Sequence, residues 1–425
     1  VHILHIIQRY WPIRGGAEVL LHGFSTRLAA EGYTVTVLTS DAKDFELFWH
    51  PKADRFSERE VWHDGVRILR FPVRHLPASS LAYPAIRRLL WVLSAIKPVP
   101  VAAMSYLARF TPWMPGLWRW LSETEELFDL VGGMTITFEP LLEAGLRFAR
   151  RRQVPYVVYP LTHLGAGPAP ASDALSRFYT MRHQVDLVRR SDGVVAQTKA
   201  ERDFYVSRGA DPTRVHVVGP GFNPHDIAGG DAARFRVRYH LEHPIIYMLT
   251  KMSYDKGVTH TIEAMGQLWD AGSDAHLVLA GDVLDTFAAY YARLPAAVKD
   301  RIVLLGTISD EEKRDLLAAG DVLAMPSRTD SFGIVYLEAW AYGKPVVGAR
   351  TWGVMDVIDD GQDGLLVPFG DVEALSQAFA YLLEHPTEAQ AMGRRGRQKA
   401  FGRHTWAHKY PQVRDLYLQL VNHSP

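Results

Sequence analysis

Two carboxylates in an acid-x7-Glu spacing, Asp330 and Glu338, lie in the run Arg-Thr-Asp-Ser-Phe-Gly-Ile-Val-Tyr-Leu-Glu-Ala-Trp-Ala-Tyr-Gly-Lys-Pro-Val-Val-Gly at residues 328–348. The run reads as a polar turn, a short helix, a glycine stop and a buried strand, which is half of a parallel βαβ unit. Asp330 falls in the turn and Glu338 inside the helix. The first N–H groups of a helix have no partner within it, and here they face the C-terminal edge of the sheet. Residues 331–334 can therefore receive an anion or a sugar hydroxyl.

Three further groups occupy equivalent places. Lys251 and Lys256 flank the loop at residues 250–257 that follows an apolar strand. A surface lysine pair usually serves solvation, but two cations at a strand's C-terminal end, across from a helix start, make a diphosphate clamp. Gly15 and Gly16 sit between the first strand and the first helix, where bare backbone lets a phosphate approach closely; a plain turn accounts for them equally well. His163 stands after the strand at 154–159, at the sheet edge where open α/β folds keep their ligands, and reads otherwise as a loop histidine in water.

The elements that must position these groups alternate along most of the chain. Its 425 residues suggest two or three domains, each able to bury its own core. Strands are expected at 1–7, 33–38, 130–137, 154–159, 193–197 and 215–218, then at 245–249, 276–279, 302–305, 322–325 and 364–367. The helix after Gly16 should bury Val19, Leu20, Phe24 and Leu28. A mobile loop is expected at 165–172, helices at 141–151 and 173–190, a helix starting at Trp352, and helical structure from Val372 on. The domains are placed at 1–222, 223–402 and 403–425, the last a helix rich in Trp, Tyr and Leu that crosses back to the first half.

Composition closes several routes. Basic and acidic residues balance at 47 each, so the overall charge argues neither for nor against an anionic partner, and no nucleic-acid partner is expected. There is no cysteine, which removes disulfides, thiolate metal sites and cysteine nucleophiles. No Asp/His cluster with metal spacing is evident, and no metal or other cofactor is expected. No apolar run approaches the ~18 residues of a membrane span, and the first residues read as a strand and not a signal peptide, so a cytoplasmic protein is the default.

Residues 73–121 break the alternation. They carry Arg74, Arg87, Arg88, Lys97, Arg109 and Arg119 without an acidic residue, together with Trp91, Trp113, Trp118 and Trp120. Prolines at 77, 84, 98, 100, 112 and 115 divide the stretch into short helical pieces. One reading is an interfacial segment, with cations for anionic headgroups and indoles at the hydrocarbon boundary. The other is an inserted helical hairpin packed on its own domain with a solvated arginine face.

Taken in order, the Gly-Gly loop, the lysine pair, the acid-x7-Glu run, Phe-Gly, Glu-Ala and Gly-x-Pro-Val-Val resemble the GT-B glycosyltransferases, specifically glycosyltransferase family 4. The resemblance covers nearly the whole chain outside 73–121. It implies an α/β fold of two Rossmann-like, doubly wound domains facing across a cleft. It further implies that Asp330 contacts the hydroxyls of a donor sugar and that Glu338 binds the nucleotide ribose. Backbone N–H groups of Phe332, Gly333 and Ile334 would meet sugar and phosphate, Lys251 and Lys256 would neutralise the diphosphate, Gly15 and Gly16 would touch it, and His163 would lie near the anomeric centre. The base would meet backbone near 306–309. Two positions depart from the family pattern: Thr250-Lys251 replaces Gly-Arg, exchanging a bidentate guanidinium for a point charge, and Asp330 replaces the commoner Glu. Both bear on donor identity more than on reaction type.

The implied activity is retaining, metal-independent transfer of a hexosyl group from a nucleoside-diphosphate sugar to a sugar or lipid-linked acceptor. A peripheral contact between 73–121 and an anionic membrane, at the inner face of the cell membrane, goes with it. The same fold serves phosphorylases and sugar-nucleotide epimerases, and from another class a catalytically silent partner or nucleotide-binding subunit. Acceptance of free phosphate, donor isomerisation or absence of nucleotide binding separates these.

Overall fold

The computed structural model describes residues 1–423. It divides into two compact units. One comprises Val1–Leu164, Pro170–Gly221 and the chain from Lys409 onward; the other comprises Gly165–Ala169 and Phe222–His408.

The first unit is built on an eight-stranded sheet. Its strands are β1 (His2–Ile6), β2 (Thr34–Ser40), β3 (Glu60–His63), β4 (Val66–Phe71), β5 (Leu130–Met134), β6 (Tyr156–Tyr159), β7 (Gly193–Ala196) and β8 (Val215–Val217). Their order is β3-β4-β2-β1-β5-β6-β7-β8, parallel except for β3 against β4. Because β1 pairs with β2 on one side and β5 on the other, the winding reverses there. That opens a crevice at the C-terminal ends of β1 and β5. Ile3, Leu4 and Ile6, like Val35, Val37 and Leu38, are buried, the continuous apolar run of a sheet covered on both faces.

The second unit carries a six-stranded parallel sheet of β9 (Ile245–Leu249), β10 (His276–Ala280), β11 (Ile302–Gly306), β12 (Val322–Met325), β13 (Val346–Ala349) and β14 (Gly364–Val367). The order β11-β10-β9-β12-β13-β14 puts its reversal between β9 and β12. Successive residues of β9 point to opposite faces. Ile245 and Tyr247 enter a core with Phe235, Leu316 and Trp340, while Ile246 and Met248 enter one with Val258, Ile262 and Phe379.

The C-terminal helix Trp406–Asn422 returns to the first sheet, as expected. Tyr417 Oη lies 3.0 Å from His5 Nε2 and 2.7 Å from Tyr159 Oη, and His5 Nδ1 lies 2.8 Å from Ser25 Oγ. Burial pushes the His5 imidazole down to about 3. Gly132 is required beneath this contact, because a Cβ there would come within 2.8 Å of His5 and 3.0 Å of Tyr417.

Local expectations fail where side chains override periodicity. Val19 is 39% exposed, and the helix Gly16–Ala30 buries Leu20, Leu21, Phe24 and Leu28. At 100° per residue Val19 points about 140° away from Phe24. The helix expected at 173–190 is a 3-10 turn, Ser176–Tyr179, followed by the α-helix Arg182–Arg189. Asp173 accepts the Ser176 N–H at 2.8 Å and the Gln184 side chain accepts the Met181 N–H at 2.8 Å, so the chain stops and restarts. The strand expected to reach 137 ends at Met134, where Thr135 takes φ +79°. The expected helix at Trp352 is only the 3-10 turn Val354–Asp356. Within the loop at 165–172, Trp352 donates from N to Gly165 O at 3.1 Å and from Nε1 to Gly167 O at 3.0 Å.

The insert 73–121 forms three helices, Ser79–Ala95, Val101–Ala108 and Pro115–Glu123. Pro84 lies inside the first of them and does not divide it. Leu90, Met104 and Ala108 make a small core with Met181. The guanidinium of Arg182 closes the C-terminal end of the first helix, donating to the carbonyls of Leu93, Ser94, Ile96, Lys97 and Val99 at 2.7–3.2 Å. Arg87 is not on a solvated face: it is buried and paired with Glu139, which also bonds His183 at 2.9 Å and Gln184 at 3.2 Å. Burial alone would raise the Glu139 carboxyl, but Arg87 and His183 overcome it and hold the group below its ordinary value. The tryptophans are not displayed as an interfacial belt either. Trp91 stacks on Phe178, Trp113 packs on Phe110, Trp118 lies under Arg109 at 4.1 Å, and Trp120 meets Phe71 and Phe128. What faces water is Leu81, Leu89, Val92, Ile96 and Tyr106, with Arg88, Lys97 and Arg119.

Candidate active site

The nucleotide-type groups collect at the reversal point of the second sheet. β9 ends in a loop held beside the β10 loop, Thr250 N donating to Ala280 O at 2.9 Å and Met252 N to Asp282 O at 2.8 Å. Lys251 is exposed at this strand end. Lys256 closes the 3-10 turn Tyr254–Lys256, just before the helix Val258–Asp270. The β12 loop is bolted to that turn: Arg328 N donates to Asp255 O at 3.0 Å, and Arg328 Nε to Asp255 Oδ1 at 2.8 Å. The Arg328 guanidinium also lies over the rings of Tyr254 and Phe369, 5.3 and 5.1 Å from their centroids.

This juxtaposition brings Lys256 Nζ to 2.8 Å from Asp330 Oδ1, with 22% and 15% of the two side chains exposed. Phe332 is buried and meets His404 edge-on at 5.4 Å. Gly333 begins the helix Ile334–Ala341 at φ +89°, where a Cβ would come within 2.4 Å of the Tyr336 ring. Glycine is therefore demanded twice, by conformation and by space. Gly333 has no side chain with which to cap the first helical N–H groups, and its carbonyl accepts the Tyr336 N–H at 3.1 Å. Further along the helix, Glu338 Oε1 accepts from Lys313 Nζ at 2.6 Å. Lys313 lies on the helix Asp310–Ala319, capped by Ser309 Oγ, which accepts the Glu312 N–H at 3.1 Å. Thr307 Oγ1 donates to Asp282 Oδ1 at 2.7 Å, tying the 306–309 loop to the β10 end.

In the first unit, Gly15 and Gly16 follow β1 and His163 follows β6, on the same edge of the sheet with β5 between. A Cβ on Gly15 would meet Glu18 Oε2 at 2.2 Å, whereas one on Gly16 meets nothing within 4 Å. Glu18 is buried and takes Arg9 at 3.0–3.1 Å and Gln8 at 3.4 Å, and Arg9 stands 3.6 Å from the centroid of Phe45. His163 stacks on Tyr179 with ring centroids 4.4 Å apart. Its strand end is clamped by buried Glu201, which accepts the Thr162 N–H at 2.6 Å and the Gln197 N–H at 2.7 Å. Burial pushes this carboxyl up. Sequence reasoning did not single out Arg9, Glu18, Glu201 or Lys313. Glu18 alone left a trace, an acid in the first helical turn after two glycines.

Two family models match: the glycosyl transferase 4-like domain over residues 15–221 and glycosyl transferases group 1 over residues 231–399. The chain belongs to the GT-B glycosyltransferases of family 4. Among curated relatives it is 30% identical over 254 residues to the D-inositol 3-phosphate glycosyltransferase of Xylanimonas cellulosilytica, covering 56% of this chain and 60% of that one. It is 34% identical over 194 residues to a GDP-mannose-dependent alpha-(1-6)-phosphatidylinositol monomannoside mannosyltransferase of Mycolicibacterium smegmatis, covering 43% of this chain and 50% of the relative. The matches thus span about half to three-fifths of these relatives. The fold is shared over nearly full length with sucrose-phosphate synthase of Thermosynechococcus elongatus (TM-score 0.73, 20% identity, 99% of both chains). It is shared equally with Anabaena HepE in complex with UDP (TM-score 0.70, 19% identity, 99% and 100% covered). Among the described residues no helix is long and apolar enough to cross a membrane.

Proposed function

We propose that the protein is a retaining, metal-independent glycosyltransferase that moves a hexosyl group from a nucleoside-diphosphate sugar to a lipid-linked or membrane-bound acceptor. The observation that carries this reading is the Lys256–Asp330 pair at the reversal point of the second sheet, in front of an uncapped helix start. Breaking the bond between the anomeric carbon and the diphosphate leaves negative charge on the departing oxygens. Lys251, Lys256 and the N–H groups at the start of the helix Ile334–Ala341 stabilise that charge as it forms, and they do so without a metal. On binding, Lys256 exchanges the Asp330 carboxylate for the diphosphate, and Asp330 turns to sugar hydroxyls. Glu338, steadied by Lys313, accepts from the ribose hydroxyls. In the first unit, Gly15 and Gly16 are assigned to phosphate and His163 to a sugar.

A membrane-bound acceptor is supported by the outer face of the insert and by the relative named for a phosphatidylinositol monomannoside. On the helix Ser79–Ala95, Leu81, Arg88, Leu89 and Val92 lie on one exposed side, and no acid interrupts it. Such a protein works peripherally, at the cytoplasmic face of a membrane. Two experiments test the reading. Sugar nucleotides of several bases are assayed for transfer and for retention of anomeric configuration in the presence of a chelator; the expected result is turnover that survives chelation and falls in Glu338→Ala. Flotation with anionic vesicles is expected to lift the wild type and not Leu89→Ser/Val92→Ser. Transfer lost on chelation, or flotation indifferent to the substitutions, removes the corresponding part.

A further inference from the structure

At the edge strand β3 of the first sheet, two imidazoles and a carboxylate converge. Asp64 Oδ2 is 3.3 Å from His63 Nε2 and 3.9 Å from His22 Nε2, and the three ligand-type atoms all lie within 4.8 Å of one another. His63 ends β3, Asp64 is the hairpin residue before β4 with φ +46°, and His22 projects from the helix Gly16–Ala30. We infer that His22, His63 and Asp64 form a binding site for a divalent transition-metal ion of the zinc type, distinct from the sugar-transfer site.

The geometry fits without rebuilding the backbone. A tetrahedral zinc ion with bonds of about 2.0–2.1 Å holds its ligand atoms roughly 3.3 Å apart. The His63–Asp64 separation already has that value, and the His22–Asp64 distance closes with a small side-chain rotation. Two imidazoles on one such ion place their ring centroids about 5 Å apart, and here they stand at 5.5 Å. The outer contacts also suit ligation. His22 Nδ1 lies 3.3 Å from Tyr10 Oη, so an N–H donated there leaves Nε2 free to bind, and the His63 ring is fixed by Trp11 stacked 4.0 Å above it. His22 and His63 are each 29% exposed and Asp64 60%, which leaves a fourth position to water and makes the ion exchangeable. Bound there, it ties the β3–β4 hairpin to the first helix and, through Tyr10 and Trp11, to the loop that ends in Gly15 and Gly16.

The test uses the untagged full chain freed of metal with a chelator, titrated calorimetrically with zinc chloride and, in parallel, with cobalt(II) followed by its visible absorption. One zinc per chain and the intense absorption of four-coordinate cobalt are expected. His22→Ala and His63→Ala should each weaken binding at least about 100-fold, more than loss of an outer contact does. Asp64→Asn keeps a residue tolerant of the left-handed turn and should weaken it about tenfold. Metal-free melting curves of all variants, expected to match wild type, separate ligand loss from misfolding. No zinc binding by the wild type, or equal binding by His22→Ala/His63→Ala, overturns the site and leaves only an aromatic clasp on Trp11.

Discussion

The ion pairs at the two sheets' ligand edges differ in kind. In the second unit, Lys256–Asp330 and Lys313–Glu338 each keep 14–30% of their side chains open to water. In the first, Arg9–Glu18 and Arg87–Glu139–His183 are closed off, at 10% or less. A buried pair cannot exchange partners without stranding a charge in a low-dielectric interior, so it acts as a fixed strut. A half-open pair can, because water and an incoming phosphate or hydroxyl take over each partner in turn. The first kind fixes structure, and the second kind is what the proposed function uses.

Substitutions should separate these roles cleanly. Glu139→Ala leaves Arg87 buried without its carboxylate and is expected to lower unfolding free energy by about 3–5 kcal/mol, read from denaturant melts. Equal stability to wild type would show that the triad is no strut. Lys256→Ala should do the opposite, costing within about 1 kcal/mol of stability but roughly 10²–10³ in kcat/KM with a sugar nucleotide. Glu338→Ala is expected to lose about 1.5–3 kcal/mol of nucleoside-diphosphate affinity, the worth of hydrogen bonds to a charged acceptor. A deoxyribose analogue, binding wild type and variant alike, gives the sharper version of that measurement.

A slower effect comes with pH. His5 is neutral in the fold down to about pH 3, while in the unfolded chain it takes up its proton near 6.5. Between those values the unfolded state binds the extra proton, so stability falls by up to about 1.4 kcal/mol per unit as pH drops, and is fully present above 6.5. The loss should appear first as release of the C-terminal helix, since Tyr417 holds His5. His5→Gln should flatten the acid limb of the stability curve.

Much of this is legible in the sequence, for a definable reason. Buried parallel strands need apolar runs and their crossovers need helical periodicity, so alternation along the chain revealed most of both sheets; the edge pair β3 and β4 went unexpected. Residues 328–348 carry turn, glycine, acids and strand within one βαβ half, and all that chemistry is local. The ion pairs of either kind were not legible, because Arg87 meets Glu139 across 52 residues and Lys313 meets Glu338 across 25, pairings that exist only once the layers pack. The tryptophans of 73–121 misled for the same cause: composition cannot tell an indole offered to lipid from one under Arg109. Val19 shows the limit within a helix, where a neighbouring leucine took the buried place.

The exchange of partners at Lys256 is the claim on which the functional account turns, and calorimetry of Asp330→Asn with a sugar-free nucleoside diphosphate tests it most directly. With the competing carboxylate neutralised, Lys256 is released to the diphosphate, so the variant should bind the nucleotide as tightly as wild type or several-fold tighter while its transfer activity collapses. Weaker nucleotide binding, matching that of Lys256→Ala, would contradict the exchange and make the pair a strut like those of the first sheet.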